Sequence, residues 1–289
     1  LHTLLTGEKQ GYYSDFGEIK HLIKAMREGF VYSGEYSQFR QKNHGNSSKD
    51  VPATQFVVFF QNHDQIGNRM LGERLSTLVS FESLKLAAGS VLLSPYIPLL
   101  FMGEEYGEDS PFLYFVSHSD PALIEAVRRG RTEEFRDFGW KGEPPDPQSV
   151  ETFLKAKIHW EKRKQGHCKV LLGFYKQLMR LRKSIPALSN PDKRNLFVEA
   201  IEGQRILFII RWKDSSQIMI ALNFNHADVP CIPPLSEGIW NKAIDSSEQI
   251  WTGPGSVLSY ELVPGSEITM RGRSIVLYIR KSHLSVLKS

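Results

Sequence analysis

The sequence predicts an α/β protein: a parallel βα array followed by a small all-β sandwich. Three observations carry this expectation. Two short apolar runs, Phe56 to Phe60 and Ile97 to Met102, each give way to an abruptly polar stretch, as strands do when helices cover both faces of a parallel sheet. Apolar residues at helical spacing precede the first run and separate it from the second. After Asn190 the period changes to short β-rich runs.

Taken in order, Ile19, Leu22, Ile23 and Met26 fall on one helical face, and Gly29 follows as a stop signal. A polar loop, Gln41 to Lys49, leads into the Phe56 strand. Beyond it Leu84, Ala87, Ala88, Val91 and Leu92 again have helical spacing, up to Ser94-Pro95, where proline disfavours helix in the residue before it. Ile97 to Met102, closed by Gly103, reads as a second parallel strand whose carboxyl end carries Glu104, Glu105 and Tyr106. Helix, strand, helix, strand is half a βα array.

From Gly107 to Glu151 only the stretch around Pro121 to Arg129 is periodic, and an excursion this long inside a compact domain is usually functional. Its aromatic residues, Phe112, Tyr114, Phe115, Phe135, Phe138 and Trp140, suit either sugar stacking or a satellite core. Leu171, Phe174, Tyr175, Leu178 and Met179 make the last helical face, which stops at Ser184-Ile185-Pro186. Leu196 to Ile201, Arg205 to Trp212, Gln217 to Phe224 and Ile275 to Ile279 are then strands separated by turn signals. The expected domains are residues 1–190 and 191–289.

Composition excludes several classes. The chain of 289 residues has a net charge of +4 with no dense basic run beyond Lys155 to Lys169; that run reads as a solvated helix face, so no nucleic-acid partner is expected. Cys168 and Cys231 are too few for a disulfide framework and lack metal-ligand spacing, which points to a reducing compartment, the cytoplasm by default. His226 and His283 have no companion ligands, so neither is assigned a metal. No apolar segment approaches the roughly 20 residues that span a bilayer, so no membrane partner is expected. Leu1-His-Thr-Leu-Leu-Thr-Gly begins without an initiator Met or a disordered lead-in, and the chain reads as a fragment.

The candidate site is Asn62-His63-Asp64-Gln65 at the carboxyl end of the first strand, since the loops leaving those ends in parallel α/β proteins converge on one mouth. Asn, His and Asp are also ordinary turn formers. The longer string Phe56-Val-Val-Phe-Phe-Gln-Asn-His-Asp-Gln-Ile-Gly-Asn-Arg69 resembles the motif that ends the seventh barrel strand in the α-amylase superfamily of glycoside hydrolases. Gln65 to Arg69 is similar to the branch that acts on malto-oligosyltrehalose and releases trehalose. Leu1 to Phe16, Gly103 to Glu108, Pro111 to His118 and Arg128 to Trp140 share the resemblance, and Phe174 to Leu188 resembles the superfamily's final barrel helix.

The resemblance implies the carboxyl-terminal part of a (β/α)8 barrel in residues 1–190 and a structural β domain after it, with no metal or organic cofactor. It implies a malto-oligosaccharide or malto-oligosyltrehalose substrate, Asp64 as transition-state stabiliser, and His63, Gln65, Ile66, Gly67 and Asn68 as substrate-binding residues. The loop from Tyr106 to His118 is expected to shape one end of the site. Retaining hydrolysis also needs a nucleophilic carboxylate and a carboxylic acid about 5–5.5 Å apart. In the superfamily these lie on earlier strands; neither Asp15, on a helix approach, nor Glu104 and Glu105 fits, so the chain alone is expected to be inactive. A branching or debranching enzyme of the same superfamily and a non-catalytic carbohydrate-binding module are the alternatives.

Overall fold

The computed structural model describes residues 1–136 and 142–281, so the expectations for Phe138, Trp140 and His283 fall outside the described residues. A short helix α1 (His2–Thr6) and a 3₁₀ turn (Gly11–Asp15) lead into α2 (Ile19–Glu28), which buries Ile19, Leu22 and Met26 as its spacing requires. Gly29 ends α2 at φ +107°, and a Cβ there would lie 2.5 Å from the Phe56 ring, so only glycine fits. The polar loop expected next is in part an antiparallel hairpin, β1 (Ser33–Ser37) and β2 (Lys42–Gly45). Its outward side chains hide the pattern in sequence. Asp15 binds this hairpin, accepting from the Tyr32 hydroxyl at 2.8 Å, the Phe39 N–H at 3.2 Å and the Ser37 hydroxyl.

The parallel pair is present, with β3 (Val57–Val58) beside β4 (Ile97–Pro98) and Val57 opposite Ile97. Between them lie α3 (His63–Gly67), α4 (Leu75–Leu78) and α5 (Phe81–Leu92). The expectation that both runs are buried on both faces is corrected: Val57 is 53% exposed, and Phe59, Ile97, Leu99, Leu100 and Met102 are also exposed. Helices α2, α5 and α8 (Gly166–Ser184) cover one side of the pair. Nothing among the described residues covers the other, and each strand is hydrogen-bonded for only two residues.

The 107–151 excursion holds α6 (Pro121–Arg136), longer than its periodicity suggested, and α7 (Val150–Lys155). The basic run is divided among the end of α7, a 3₁₀ turn (Trp160–Lys164) and the start of α8, where it is mostly exposed. Among the described residues no helix is long and apolar enough to cross a membrane. Both cysteines are free.

After α9 (Pro186–Ser189) the four expected strands appear as β5 (Leu196–Ile201), β6 (Ile206–Lys213), β7 (Ser216–Asn223) and β12 (Ile275–Arg280). Four more lie between, β8 (Val229–Cys231), β9 (Trp240–Asp245), β10 (Glu261–Leu262) and β11 (Ile268–Met270). The sandwich is unequal: a six-stranded antiparallel sheet in the order β10-β9-β12-β7-β6-β5, faced by the two-stranded β11-β8. Alternation along β6 sends Leu207 and Ile209 to one face and Ile206 and Phe208 to the other. The first face packs on α2, α5 and α8, the second on Val229, Cys231, Ile268 and Met270.

One hydrophobic core therefore crosses residue 190. Buried cations fasten the same seam. Lys85 donates to the Ser246 and Trp251 carbonyls at 2.7 and 2.9 Å, and Arg211 to those of Leu93 and Ser94 at 2.8 and 3.1 Å. Burial draws the Lys85 pKa down to about 8 and that of Arg211 to about 9.

Candidate active site

Gln61 and Asn62 leave β3 and the chain turns at once into α3, so the polar stretch is a helical turn rather than a loop. Asn62 starts it, its side chain accepting from the Gln65 N–H at 2.8 Å as a helix N-cap does. The turn fixes which residues face out. His63 and Asp64 project into solvent, their side chains 69% and 74% exposed, with His63 Nε2 at 3.2 Å from Asp64 Oδ1. Ile66 faces the other way and is 2% exposed. That corrects Ile66 as a substrate-binding side chain: two residues on from Asp64 in a helix, it points into the core. Asn68 is exposed beside the turn, and Gly67 lies 3.6 Å from the Phe112 ring, measured from where a Cβ would sit.

Gln65 is placed between these extremes. Its Nε2 donates to the Tyr13 hydroxyl at 3.3 Å, and both residues line a cleft of about 270 Å³ with Tyr12, Phe16 and Phe59. Burial holds the Tyr13 phenol well above its ordinary pKa, so it stays protonated and able to donate.

Behind the turn runs a charged network with no signal in the sequence. Arg69, 6% exposed, makes a bidentate pair with Glu8 at 2.9 and 3.0 Å and reaches Glu73 at 3.3 Å. Glu8 also meets His2 Nε2 at 2.8 Å. The hydrogen bond to His2 and those from Arg69 outweigh burial and hold the Glu8 carboxyl down at about 2. Arg69 stands in the motif string, yet its partner is 61 positions earlier, and no periodicity links them.

The segment after β4 is mostly structural. Gly103 sits at φ +86°, where a Cβ would come within 2.6 Å of Glu108 Cβ. Glu104 is buried, its carboxyl accepting from Gln61 Nε2 at 3.3 Å and the Tyr175 hydroxyl at 3.5 Å; burial raises its pKa to about 8 and keeps it neutral at pH 7. Tyr106 is buried with its hydroxyl on Glu108 at 2.9 Å, so it does not reach the mouth. Glu108, Asp109 and His159 have metal-ligand spacing. The Glu108 carboxylate already accepts from the backbone N–H groups of Asp109, Ser110 and His159 and from Tyr106, which fills its four acceptor positions and fits a cation poorly.

Of the aromatic residues of the excursion, Phe135 is core, while Tyr114 and Phe115 are exposed. In the β domain His226 lies 2.7 Å from an Arg273 guanidinium nitrogen, a structural contact.

The chain is 49% identical over 199 residues to a malto-oligosyltrehalose trehalohydrolase of Saccharolobus solfataricus, covering 69% of this chain and 33% of that protein. It is 38% identical over 257 residues to one of Mycobacterium tuberculosis, covering 86% and 43%. The chain thus spans well under half the length of these curated relatives. Among solved structures, a Salmonella typhimurium protein described as an alpha amylase superposes with a TM-score of 0.79 at 34% identity, over 97% of this chain and 45% of that one. An Anoxybacillus pullulanase shares the fold at a TM-score of 0.53 and 15% identity. No protein-family model matches. The architecture is thereby the carboxyl-terminal part of a (β/α)8 barrel followed by a β domain.

Proposed function

We propose that this segment of the malto-oligosyltrehalose trehalohydrolase family forms one side of the active site of a retaining glycoside hydrolase. That enzyme cuts the α-1,4-glucosidic bond next to the trehalose unit of malto-oligosyltrehalose and releases trehalose. The observation that carries the reading is the outward pair His63 and Asp64 on a turn braced from behind. A carboxylate held there accepts two sugar hydroxyl hydrogen bonds, and its charge opposes the positive charge that develops on the sugar as the bond breaks. His63 donates to a neighbouring hydroxyl of the same sugar, while Gln65, Gly67 and Asn68 border the path on either side.

The nucleophile and the general acid come, in this reading, from the part of its relatives that the chain does not span. Residues 1–190 then complete a barrel, and 191–289 serve as its structural support. Selecting a trehalose end needs polar groups matched to the extra sugar's hydroxyls, because a site that leaves such groups unpaired rejects the wrong substrate strongly.

The test is chromatography of products from the full-length parent given malto-oligosyltrehalose and, separately, maltopentaose. Trehalose from the first with little cleavage of the second is expected. Equal cleavage of both, or transfer that forms new branches, would instead indicate a debranching or branching enzyme.

A further inference from the structure

We propose that Arg131 is a positioning residue for Asp64, acting through the carbonyl of Gly67; the inference rests on the reading of Asp64 given above. Gly67 is the last residue of α3, three after Asp64. The final carbonyls of a helix have no partner within it and need an outside donor. Arg131 Nη2 supplies one at 3.3 Å.

The guanidinium is held for this purpose. It lies 4.9 Å from the centroid of Tyr114 and 4.5 Å from that of Phe135, and its Nη1 pairs with Glu134 at 2.8 Å. The side chain is only 15% exposed. Two rings and a carboxylate orient a planar cation and leave an edge for Gly67, an arrangement an ammonium cannot reproduce.

The helix behind it is itself braced. Arg128, Arg131 and Phe135 share one face of α6 by their spacing. Phe135 is buried, and Arg128 grips Asp146 through Nε at 3.0 Å and Nη2 at 2.8 Å. The excursion is thereby tied to the turn that carries Asp64, and its role extends past covering the array.

The experiment compares Arg131→Met, Arg131→Lys and Glu134→Gln with wild type in the full-length parent acting on malto-oligosyltrehalose. Arg131→Met is expected to lower kcat at least tenfold with KM changed less than twofold, and added free guanidinium to restore part of the loss. Arg131→Lys should be impaired in the same way. A kcat within twofold of wild type for Arg131→Met, or a loss that guanidinium does not restore, overturns the proposal. If Arg131→Met does not fold, Glu134→Gln decides, with a severalfold fall in kcat expected and an unchanged kcat overturning it. Asp64→Asn separates the levels: an inactive D64N beside a fully active R131M overturns this inference alone, whereas a fully active D64N overturns the reading of the site and this inference with it.

Discussion

Replacing Glu8 by Gln should destabilise the fold by about 2–3 kcal/mol at neutral pH, because it leaves the Arg69 guanidinium buried with a weaker partner. The structure sets this magnitude from two directions. Glu8 titrates at about 2 instead of the ordinary 4.5, held there by its hydrogen bonds to His2 and Arg69. At 1.36 kcal/mol per pKa unit that is a ceiling of about 3.4 kcal/mol, reduced to about 2 because the side chain is a quarter exposed and partly screened. From the other side, removing one partner of a buried pair costs about 3–5 kcal/mol, and less here because Glu73 remains 3.3 Å from Arg69.

The sign with pH follows from the depressed pKa. Stability from this carboxylate is fully present above about pH 4.5 and is lost as pH falls through about 2. The assay is urea unfolding of the full-length parent, followed by tryptophan fluorescence from pH 7 down to pH 3. Wild type should lose stability across the acid end of that range, and Glu8→Gln should begin lower and lose less. A variant within 0.5 kcal/mol of wild type at pH 7, an effect of the size expected for an exposed pair, would refute the reasoning.

Two further outcomes follow. In the full-length parent Asp64→Asn should depress kcat far more than it raises KM, by an amount on the order of several kcal/mol; steady-state kinetics showing a near-normal kcat would remove Asp64 from the transition state. The chain alone should show no glucan hydrolysis and should aggregate through Val57, Phe59, Ile97, Leu99, Leu100 and Met102, because an exposed apolar sheet face with open edges invites association. Light scattering and a reducing-sugar assay check this, and a monodisperse or active chain would contradict it.

Much of the architecture was legible in the sequence because it depends on local spacing. The faces of α2, α5 and α8 are written as a period of 3.6 that stops at a glycine or just before a proline, and β5, β6, β7 and β12 as short β-rich runs. Hairpin β1-β2 was missed because neither strand buries a regular face, β8, β10 and β11 because two or three residues are too few to show a period, and β9 because its apolar residues Trp240, Ala243 and Ile244 do not alternate. The Asn62 to Asn68 string marked the candidate site, and its similarity to a known motif supplied the chemistry that spacing could not.

Tertiary structure alone decided which of those residues face solvent. Only the turn of α3 separates the exposed Asp64 from the buried Ile66, and only packing brings Tyr13 to Gln65, Glu8 to Arg69 and Arg131 to the Gly67 carbonyl. These partners are 52, 61 and 64 positions apart. The sequence determined the elements, because a helix or strand is selected by interactions among near neighbours. The site depends on contacts between elements, and a one-dimensional pattern records the identity of each residue without the distance to its partner.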